Sequence, residues 1–212
     1  VTVPPPSAGG VALLQMLNIL DAGNYPAMPV ATRDHLVVEA MRRAFRDRAL
    51  HLGDPDFVTV PVAQLLSAEH AGTQFTSIDR ARATPSSELG AAPALPAQGE
   101  NTTHFSILDR HGNRVAATLS LNLAFGSGFM VPGTGVLLNN EMDDFTTAVG
   151  VANSYGLTGS VANVIAPGKR PLSSMTPTFI EYNDRVAIVG TPGGSRIPGM
   201  VLATLLALLE AG

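Results

Sequence analysis

Apolar positions recur at helical spacing in two segments near the start of the chain. Residues 11–20 are apolar almost all round, which predicts a buried helix. Residues 32–50 predict an amphipathic helix, whose apolar positions are Leu36, Val37, Ala40, Met41, Ala44 and Phe45. The arginines of this segment are expected on its solvated side: Arg42, Arg43, Arg46 and Arg48. Residues 62–71 and the apolar run from residue 200 predict further helices.

The pattern changes to strand-like alternation after residue 102. "THFSILD" and "RVAATLSLN" alternate on either side of the turn "RHGN", which predicts a hairpin. A turn centred near His111 would place Ser120 opposite Thr102, and a shift of one residue would reverse this register. Because side chains share a face at every second position, Thr102 would then share a face with His104 and Ser106. Further strands are predicted at residues 135–138, 176–182 and 186–190, with "YNDR" joining the last two.

Residues 83–101 separate the helical half from the strand-rich half. They are rich in Pro, Ala and Ser, which predicts a loop or linker. Long structureless segments are uncommon inside a compact domain, and proteolytic processing is one reason to keep one. The chain begins at Val1 without a basic leader and its last apolar helix stops abruptly, so we expect it to be a piece of a longer protein.

Composition narrows the class of function. The net charge of −4 lacks the basic footprint of a nucleic-acid-binding protein, so no nucleic-acid partner is expected. The absence of Cys excludes disulfides, a thiolate nucleophile and thiolate metal ligands. No window reaches the roughly 18 uninterrupted apolar residues of a membrane span. The five His residues show no ligand spacing, so no metal is expected and each is predicted to be a surface or core residue.

Thr102 is the candidate nucleophile. A threonine at a free N-terminus carries its own base, because its α-amine can take the proton of its hydroxyl and has an unperturbed pKa of about 7.7–8.0. Freeing that amine requires cleavage of the Asn101–Thr102 bond, directly after the predicted linker. The alternative is structural, since threonine commonly begins a strand.

Two polar segments are candidates for ligand binding. "NNEMDDF" places Glu141, Asp143 and Asp144 together, where they could bind a substrate amino group, hold a metal or form a solvated acidic turn. "TPGGSR" places Gly193 and Gly194 before a predicted helix, where their N–H groups could form an oxyanion hole or simply end a strand. The glycine spacing does not fit a phosphate-binding P-loop.

Several long motifs in fixed order closely resemble the γ-glutamyltranspeptidases: "PPPSAGGVALLQMLNIL", "LGDPDF", "TTHFSILDRHGN", "LLNNEMDDF", "NSYGL", "KRPLSSMTPT" and "GTPGGSR". The resemblance covers nearly the whole chain and implies an N-terminal-nucleophile hydrolase. Its α+β fold is an αββα sandwich of two stacked antiparallel sheets between helix layers, incomplete here. It also implies autocatalytic cleavage between Asn101 and Thr102. Residues 1–101 would then end the large subunit and residues 102–212 would begin the small subunit.

The resemblance also implies an activity and its residues. An acyl-enzyme on Thr102 would transfer the γ-glutamyl group of glutathione or other γ-glutamyl amides to water, amino acids or peptides, without a cofactor, in a periplasmic or secreted protein. The carried-over residues are Ser120 beside the nucleophile, Gly193 and Gly194 in the oxyanion hole, Asn122, Glu141 and Asp144 on the substrate's α-amino and α-carboxylate groups, and Ser173 and Ser174 on the α-carboxylate. "NSYGL" would lie in the loop that covers the pocket. The arginine with which the family clamps the carboxylate matches none of the arginines here.

Two other interpretations remain open at this point. Some relatives act on other acyl groups, so a cephalosporin acylase or a poly-γ-glutamate depolymerase is an alternative. The third interpretation is an inactive, truncated member that serves as a folding or interaction module.

Overall fold

The computed structural model describes residues 1–90, 102–154, 156–182 and 184–210. Five α-helices run over Gly9–Ala22 (α1), Val30–His51 (α2), Val62–Leu65 (α3), Ala68–Thr76 (α4) and Ile197–Glu210 (α5). Four strands run over Thr102–Leu108 (β1), Arg114–Ser120 (β2), Thr178–Tyr182 (β3) and Arg185–Val189 (β4). Short 3₁₀ turns lie at Tyr25–Ala27, Glu141–Asp144, Val161–Asn163 and Gly194–Arg196. None of the helices in these ranges is both long and apolar enough to cross a membrane.

The helical core is built around α1. Its apolar residues Leu13, Met16 and Ile19 are fully buried, as the nearly continuous apolar sequence predicts. Helices α2, α4 and α5 pack against it, and α5 contributes Val201 and Leu202 to the same core. Burial of this apolar surface is what holds the helices together, since each helix alone would be only marginally stable in water.

Two antiparallel sheets lie on one side of the helices. The β3–β4 pair packs on the helical core through Ile180 and Val189. Its other side meets the β1–β2 pair, where the Ser106 hydroxyl donates to the Ile188 carbonyl at 3.0 Å and Arg114 pairs with Glu181. The order helix, sheet, sheet confirms the predicted fold class over the described residues.

The hairpin register is the predicted one. Thr102 pairs with Ser120, and His104 pairs with Thr118 through a 2.8 Å bond between Nδ1 and Oγ1. The His104 ring lies directly against Gly190, so that a Cβ at residue 190 would overlap the ring. A residue without a side chain is therefore required at Gly190 for the two sheets to approach each other.

Two predictions from the pattern are wrong. Residues 135–138 do not form a strand, because only one isolated bridge joins Met130 to Leu137 in a segment that turns repeatedly at glycines. Arg43 and Arg48 do not lie on a solvated face, since both are buried. Arg43 is tolerated there because Glu39 pairs with it at 2.6 Å and the Gln74 and Ser77 carbonyls accept its remaining donors.

The predicted linker is described only in part. Residues 83–90 form turns against α2, where Glu39 accepts bonds from the Thr84 N–H and hydroxyl at 2.9 Å and 2.6 Å. The rest of the predicted linker, including Asn101, lies outside the described residues.

Candidate active site

A cleft of about 320 Å³, counted with its open mouth, lies where β1 and β2 meet the start of the last helix. Its lining contains eight of the residues carried over by resemblance: Thr102, Ser120, Asn122, Glu141, Asp144, Ser173, Ser174 and Gly194. Gly193 directly precedes Gly194 and is buried. The tertiary structure therefore gathers residues that are up to 92 positions apart in the sequence, from Thr102 to Gly194.

Thr102 begins β1 and is almost fully buried. Its hydroxyl donates to the Ser120 Oγ at 3.4 Å, across the hairpin pair that places the two residues opposite each other. The Ser120 Oγ also accepts from the Asn122 backbone N–H at 2.9 Å. A polar contact that is longer than a typical O–H···O hydrogen bond therefore directs the Thr102 hydroxyl toward Ser120 at the edge of the cleft.

Asn122 adopts a left-handed backbone conformation, with φ of 73°, directly after β2. Its side-chain amide donates to the Asn140 carbonyl at 3.1 Å, and the Asn140 side chain accepts from the Leu123 N–H at 3.1 Å. These two bonds attach the end of β2 to the segment that begins the Glu141–Asp144 turn. The hairpin and the acidic turn are therefore held on the same side of the cleft.

The acidic turn brings two carboxyl groups together. Burial, followed by the negative charge of Glu141, raises the pKa of Asp144 to about 7, and burial raises the pKa of Glu141. Two carboxyl groups this close do not both ionise readily without a cation. A primary ammonium group of a ligand would add to the positive charge of the nearby Arg48 and would donate hydrogen bonds to both carboxyl groups.

The opposite wall of the cleft is the segment that contains Ser173 and Ser174. The start of the chain positions it: the Ala8 N–H donates to the Ser173 carbonyl at 2.9 Å, and the Ser7 hydroxyl donates to the Met175 carbonyl at 2.6 Å. Gly9 allows this close approach, because a Cβ there would lie 2.5 Å from the Met175 carbonyl oxygen. The proline-rich entry motif therefore has a structural role in the site.

A second contact sets the two walls at a fixed separation. The buried Asn163 donates to the Asp144 carbonyl at 2.7 Å and accepts from the Leu172 N–H at 3.1 Å. Beyond it, Arg170 binds the buried Asp54 through its backbone N–H at 2.8 Å and its guanidinium Nη2 at 2.5 Å. The segments "LGDPDF" and "KRPLSS", which both resemble motifs of the same family, are therefore in direct contact in the folded chain.

Gly193 and Gly194 have φ of 141° and 56°, conformations that residues with side chains rarely adopt. They lead through the Gly194–Arg196 turn directly into α5. Gly194 lines the same cleft as Thr102, and its backbone is not covered by a side chain of its own.

Sequence reasoning missed three residues that shape the cleft: Arg48, Asn140 and Asn163. Arg48 donates from Nη2 to the Ser174 Oγ at 3.1 Å. One signal could have found it, because positions 36, 40, 44 and 48 form one stripe along the helix and the first three are apolar. No local signal marks the two asparagines. In the "NSYGL" loop, the Ser154 N–H donates to Asp143 at 3.1 Å, Leu157 lines the cleft, and Tyr155 lies outside the described residues.

Comparison with solved structures defines the class. A cephalosporin acylase from Bacillus halodurans matches with a TM-score of 0.72 and 26% identity, over 100% of this chain and 35% of that chain. Together with the layered helices and antiparallel sheets, this likeness places the fold among the N-terminal-nucleophile hydrolases.

The family follows from the sequence comparisons. A family model described as gamma-glutamyltranspeptidase matches residues 1–212. Glutathione hydrolase proenzymes of Pseudomonas sp. strain A14 and of Escherichia coli K12 are 47% and 42% identical to the chain over its whole length. The chain belongs to the γ-glutamyltranspeptidase family. It spans 37% of the length of each of these two relatives.

Proposed function

We propose that this chain is the part of a γ-glutamyltransferase and glutathione hydrolase that surrounds the junction of its two subunits. Residues 1–101 end the large subunit, and residues 102–212 begin the small one. Thr102 has two roles. It cuts the precursor autocatalytically at the Asn101–Thr102 bond, and it is then the nucleophile of the mature enzyme. Membership of the family supports the proposal. Because the chain spans 37% of the length of its relatives, the proposal concerns a larger protein of which this chain is one part.

One observation carries the proposal: the Thr102 hydroxyl shares a single cleft with groups suited to both ends of an α-amino acid. Glu141 and Asp144 are acceptors for an α-ammonium group, with Asn122 beside them. Ser173 and Ser174 are hydroxyl donors for an α-carboxylate. A γ-glutamyl group held by its α-carbon substituents would extend its γ-carbonyl toward Thr102.

The reaction then proceeds in two acyl transfers. The Thr102 Oγ attacks the γ-carbonyl carbon while the freed α-amine accepts the hydroxyl proton, directly or through a water. The backbone N–H groups of Gly193 and Gly194 stabilise the oxyanion. The C–N bond breaks, the proton passes to the leaving amine, and a γ-glutamyl ester remains on Thr102. Water then releases glutamate, or the amine of an amino acid or peptide takes the acyl group.

The hydrogen bond to Ser120 supports this assignment of the nucleophile. It holds the Thr102 side chain in one orientation, so that the hydroxyl does not have to be ordered during the reaction. The ligands are small molecules, such as glutathione, other γ-glutamyl compounds and acceptor amino acids. The protein partners are the two subunits of one precursor. A periplasmic or secreted location is part of the same proposal and rests on the family resemblance.

The test is expression of the full precursor as wild type and as Thr102→Ala. We expect the wild type to show a second N-terminus reading Thr-Thr-His-Phe and to release product from a γ-glutamyl anilide. Thr102→Ala should stay uncut and inactive. Thr103→Ala is the matched control, because Thr103 is the next residue of the same strand but points to its exposed face. Turnover by Thr102→Ala would disprove the proposal, and an uncut, inert wild type would favour the inactive module.

A related acylase is the second candidate, and the likeness to the cephalosporin acylase of Bacillus halodurans favours it. The two carboxyl groups in the cleft argue against it, because a glutaryl group has no ammonium to pair with them. Rates on glutathione, poly-γ-glutamate and a glutaryl-cephalosporin would separate the candidates. A preference for the glutaryl substrate would establish the acylase.

A further inference from the structure

A buried guanidinium lies directly behind the cleft wall. Arg48 is on the last turn of α2 and is only 5% exposed. Its Nη2 donates to the Ser174 Oγ at 3.1 Å. Burial lowers the pKa of Arg48 to about 10, which still leaves it a cation at neutral pH. A full positive charge is therefore held within one hydrogen bond of a cleft-lining hydroxyl.

The donor chemistry of arginine sets the direction of that bond. A guanidinium can only donate, so the Ser174 Oγ must accept from Arg48. The Ser173 Oγ likewise accepts, from the Met175 backbone N–H at 3.1 Å. Each serine has a single hydroxyl proton, and in both cases that proton remains available to the cleft. The wall therefore presents two donors, which suits a carboxylate.

The charge of Arg48 also acts on the facing wall. Arg48 and Asp144 line the same small cavity behind the cleft. Asp144 has the negative groups Glu141 and Asp143 in its own turn, and Arg48 is the positive group that α2 brings toward it. Because the site is largely removed from water, this attraction is stronger than it would be at the surface. Arg48 thus favours the ionised form of Asp144, which is the form that accepts hydrogen bonds from an ammonium group.

The hydrogen bonding of Arg48 differs from that of Arg43, an arginine of the same helix. The Nε of Arg48 is buried without a hydrogen-bond partner among the described residues, and an unsatisfied buried donor destabilises a fold. Arg43, earlier on the same helix and equally buried, instead donates from Nε to the Gln74 carbonyl and the Ser77 hydroxyl. Arg43 is satisfied by the fold, whereas Arg48 is directed at the cleft wall.

We propose that Arg48 is a positioning residue that makes one wall of the cleft a hydrogen-bond donor and the facing wall a hydrogen-bond acceptor. It keeps Ser174 a donor toward the α-carboxylate and Asp144 an acceptor toward the α-ammonium of the substrate. The proposal rests on the proposed function, because it concerns recognition of the same amino-acid head group.

The experiment compares Arg48→Gln and Arg48→Lys with wild type in the full precursor, using a γ-glutamyl anilide. Arg48→Gln should raise KM by about tenfold or more, which corresponds to about 1.4 kcal/mol of binding, and change kcat less. It should also move the acid limb of kcat/KM to higher pH, since Asp144 loses its positive neighbour. Arg48→Lys should restore the acid limb but not KM, because lysine keeps the charge and loses the planar fork.

Arg43→Gln is the matched control. It removes an equally buried arginine of the same helix, so it should lower the melting temperature without moving the acid limb or raising KM selectively. If Arg48→Gln is too unstable to process itself, Arg48→Lys and Ser174→Ala are combined in a double-mutant cycle on KM. We expect their effects to be non-additive, as for residues in direct contact.

Three results would overturn the proposal. The first is an unchanged KM and an unchanged acid limb in Arg48→Gln. The second is a raised KM and a shifted acid limb in Arg43→Gln as well. The third is additive effects of Arg48→Lys and Ser174→Ala in the double-mutant cycle. A wild type without Thr102-dependent turnover would overturn the proposed function as well. A failure confined to Arg48 would leave that function in place.

Discussion

Thr102 and Ser120 face each other across the β1–β2 hairpin, with their hydroxyl oxygens 3.4 Å apart. The register of the hairpin creates this contact, because it pairs Thr102 with Ser120 at the open end of the ladder. Ser120 also accepts from the Asn122 N–H, so its oxygen is held in place from two sides. The relationship makes the orientation of the proposed nucleophile depend on one hydroxyl group.

Ser120→Ala should therefore reduce kcat while KM changes little. Loss of one hydrogen-bond partner costs about 1–3 kcal/mol, which corresponds to roughly a fivefold to 150-fold fall in rate. Ser120→Thr keeps the hydroxyl and should retain most of the activity. Steady-state kinetics on a γ-glutamyl anilide would measure both variants. Wild-type kcat in Ser120→Ala would show that Thr102 is oriented by other groups.

Affinity for an amino-acid ligand should fall as the pH is lowered through about 7. Burial and the charge of Glu141 raise the pKa of Asp144 to about 7, so below that pH the empty cleft holds a neutral Asp144. An ammonium group prefers the ionised carboxylate, and protonation therefore competes with binding. The inhibition constant of L-glutamate, measured as a function of pH, checks this.

Two variants identify the group responsible for that pH dependence. Asp144→Asn should bind L-glutamate weakly and show no dependence in this range. Asp143→Asn lies in the same turn but keeps Asp144, so it should retain a pH dependence, moved to slightly lower pH because Asp144 loses one negative neighbour. If Asp144→Asn kept the same pH profile, the titrating group would be another one.

The Asp54–Arg170 pair should stabilise the fold at neutral pH. Arg170 holds the pKa of Asp54 well below its usual range, chiefly through side-chain hydrogen bonds to a buried carboxylate. A carboxyl whose pKa is depressed on folding adds stability above its unfolded pKa of about 4 and loses it as the pH falls toward the folded value. Asp54→Asn should therefore lower the free energy of unfolding by about 1–3 kcal/mol at neutral pH.

Urea unfolding at several pH values measures this effect. The difference between wild type and Asp54→Asn should narrow below about pH 4, where the unfolded carboxyl becomes protonated. Asp56→Asn is the control: Asp56 also contacts Arg170 at 2.7 Å, but it is exposed and should contribute no more than about 1 kcal/mol. An equal loss in both variants would contradict the role of burial.

Gly190→Ala should loosen the packing of one sheet on the other. The added methyl group would overlap the His104 ring, which is itself bonded to Thr118 and Ser106. Overpacking of this kind costs about 1–3 kcal/mol. Gly72→Ala is the opposite control, because it lies inside α4 with open space around it and should stabilise by about 0.5–1 kcal/mol. Thermal unfolding of the two variants should shift in opposite directions, and a neutral Gly190→Ala would show that the sheets can move apart.

Local pattern was sufficient for most of the secondary structure. Helices α1 and α2 extend only two residues or fewer beyond the predicted ends, since hydrophobic periodicity follows directly from helix geometry. The predicted segment at residues 62–71 is divided into α3 and α4, with Ser67 capping the second helix through the His70 N–H. The predicted strand at 135–138 failed because repeated glycines with positive φ turn the chain there.

The sequence by itself determined the helices, the hairpin register and, through motifs in fixed order, the family. These depend on backbone geometry within a short segment or on resemblance, and neither requires knowledge of distant contacts. Only the tertiary structure decided that Arg48 lies behind Ser174, that Asn163 joins the two walls, and that residues 7–9 position residues 173–176. These contacts join segments far apart in the chain, and the burial of a polar side chain depends on the partners that folding brings to it.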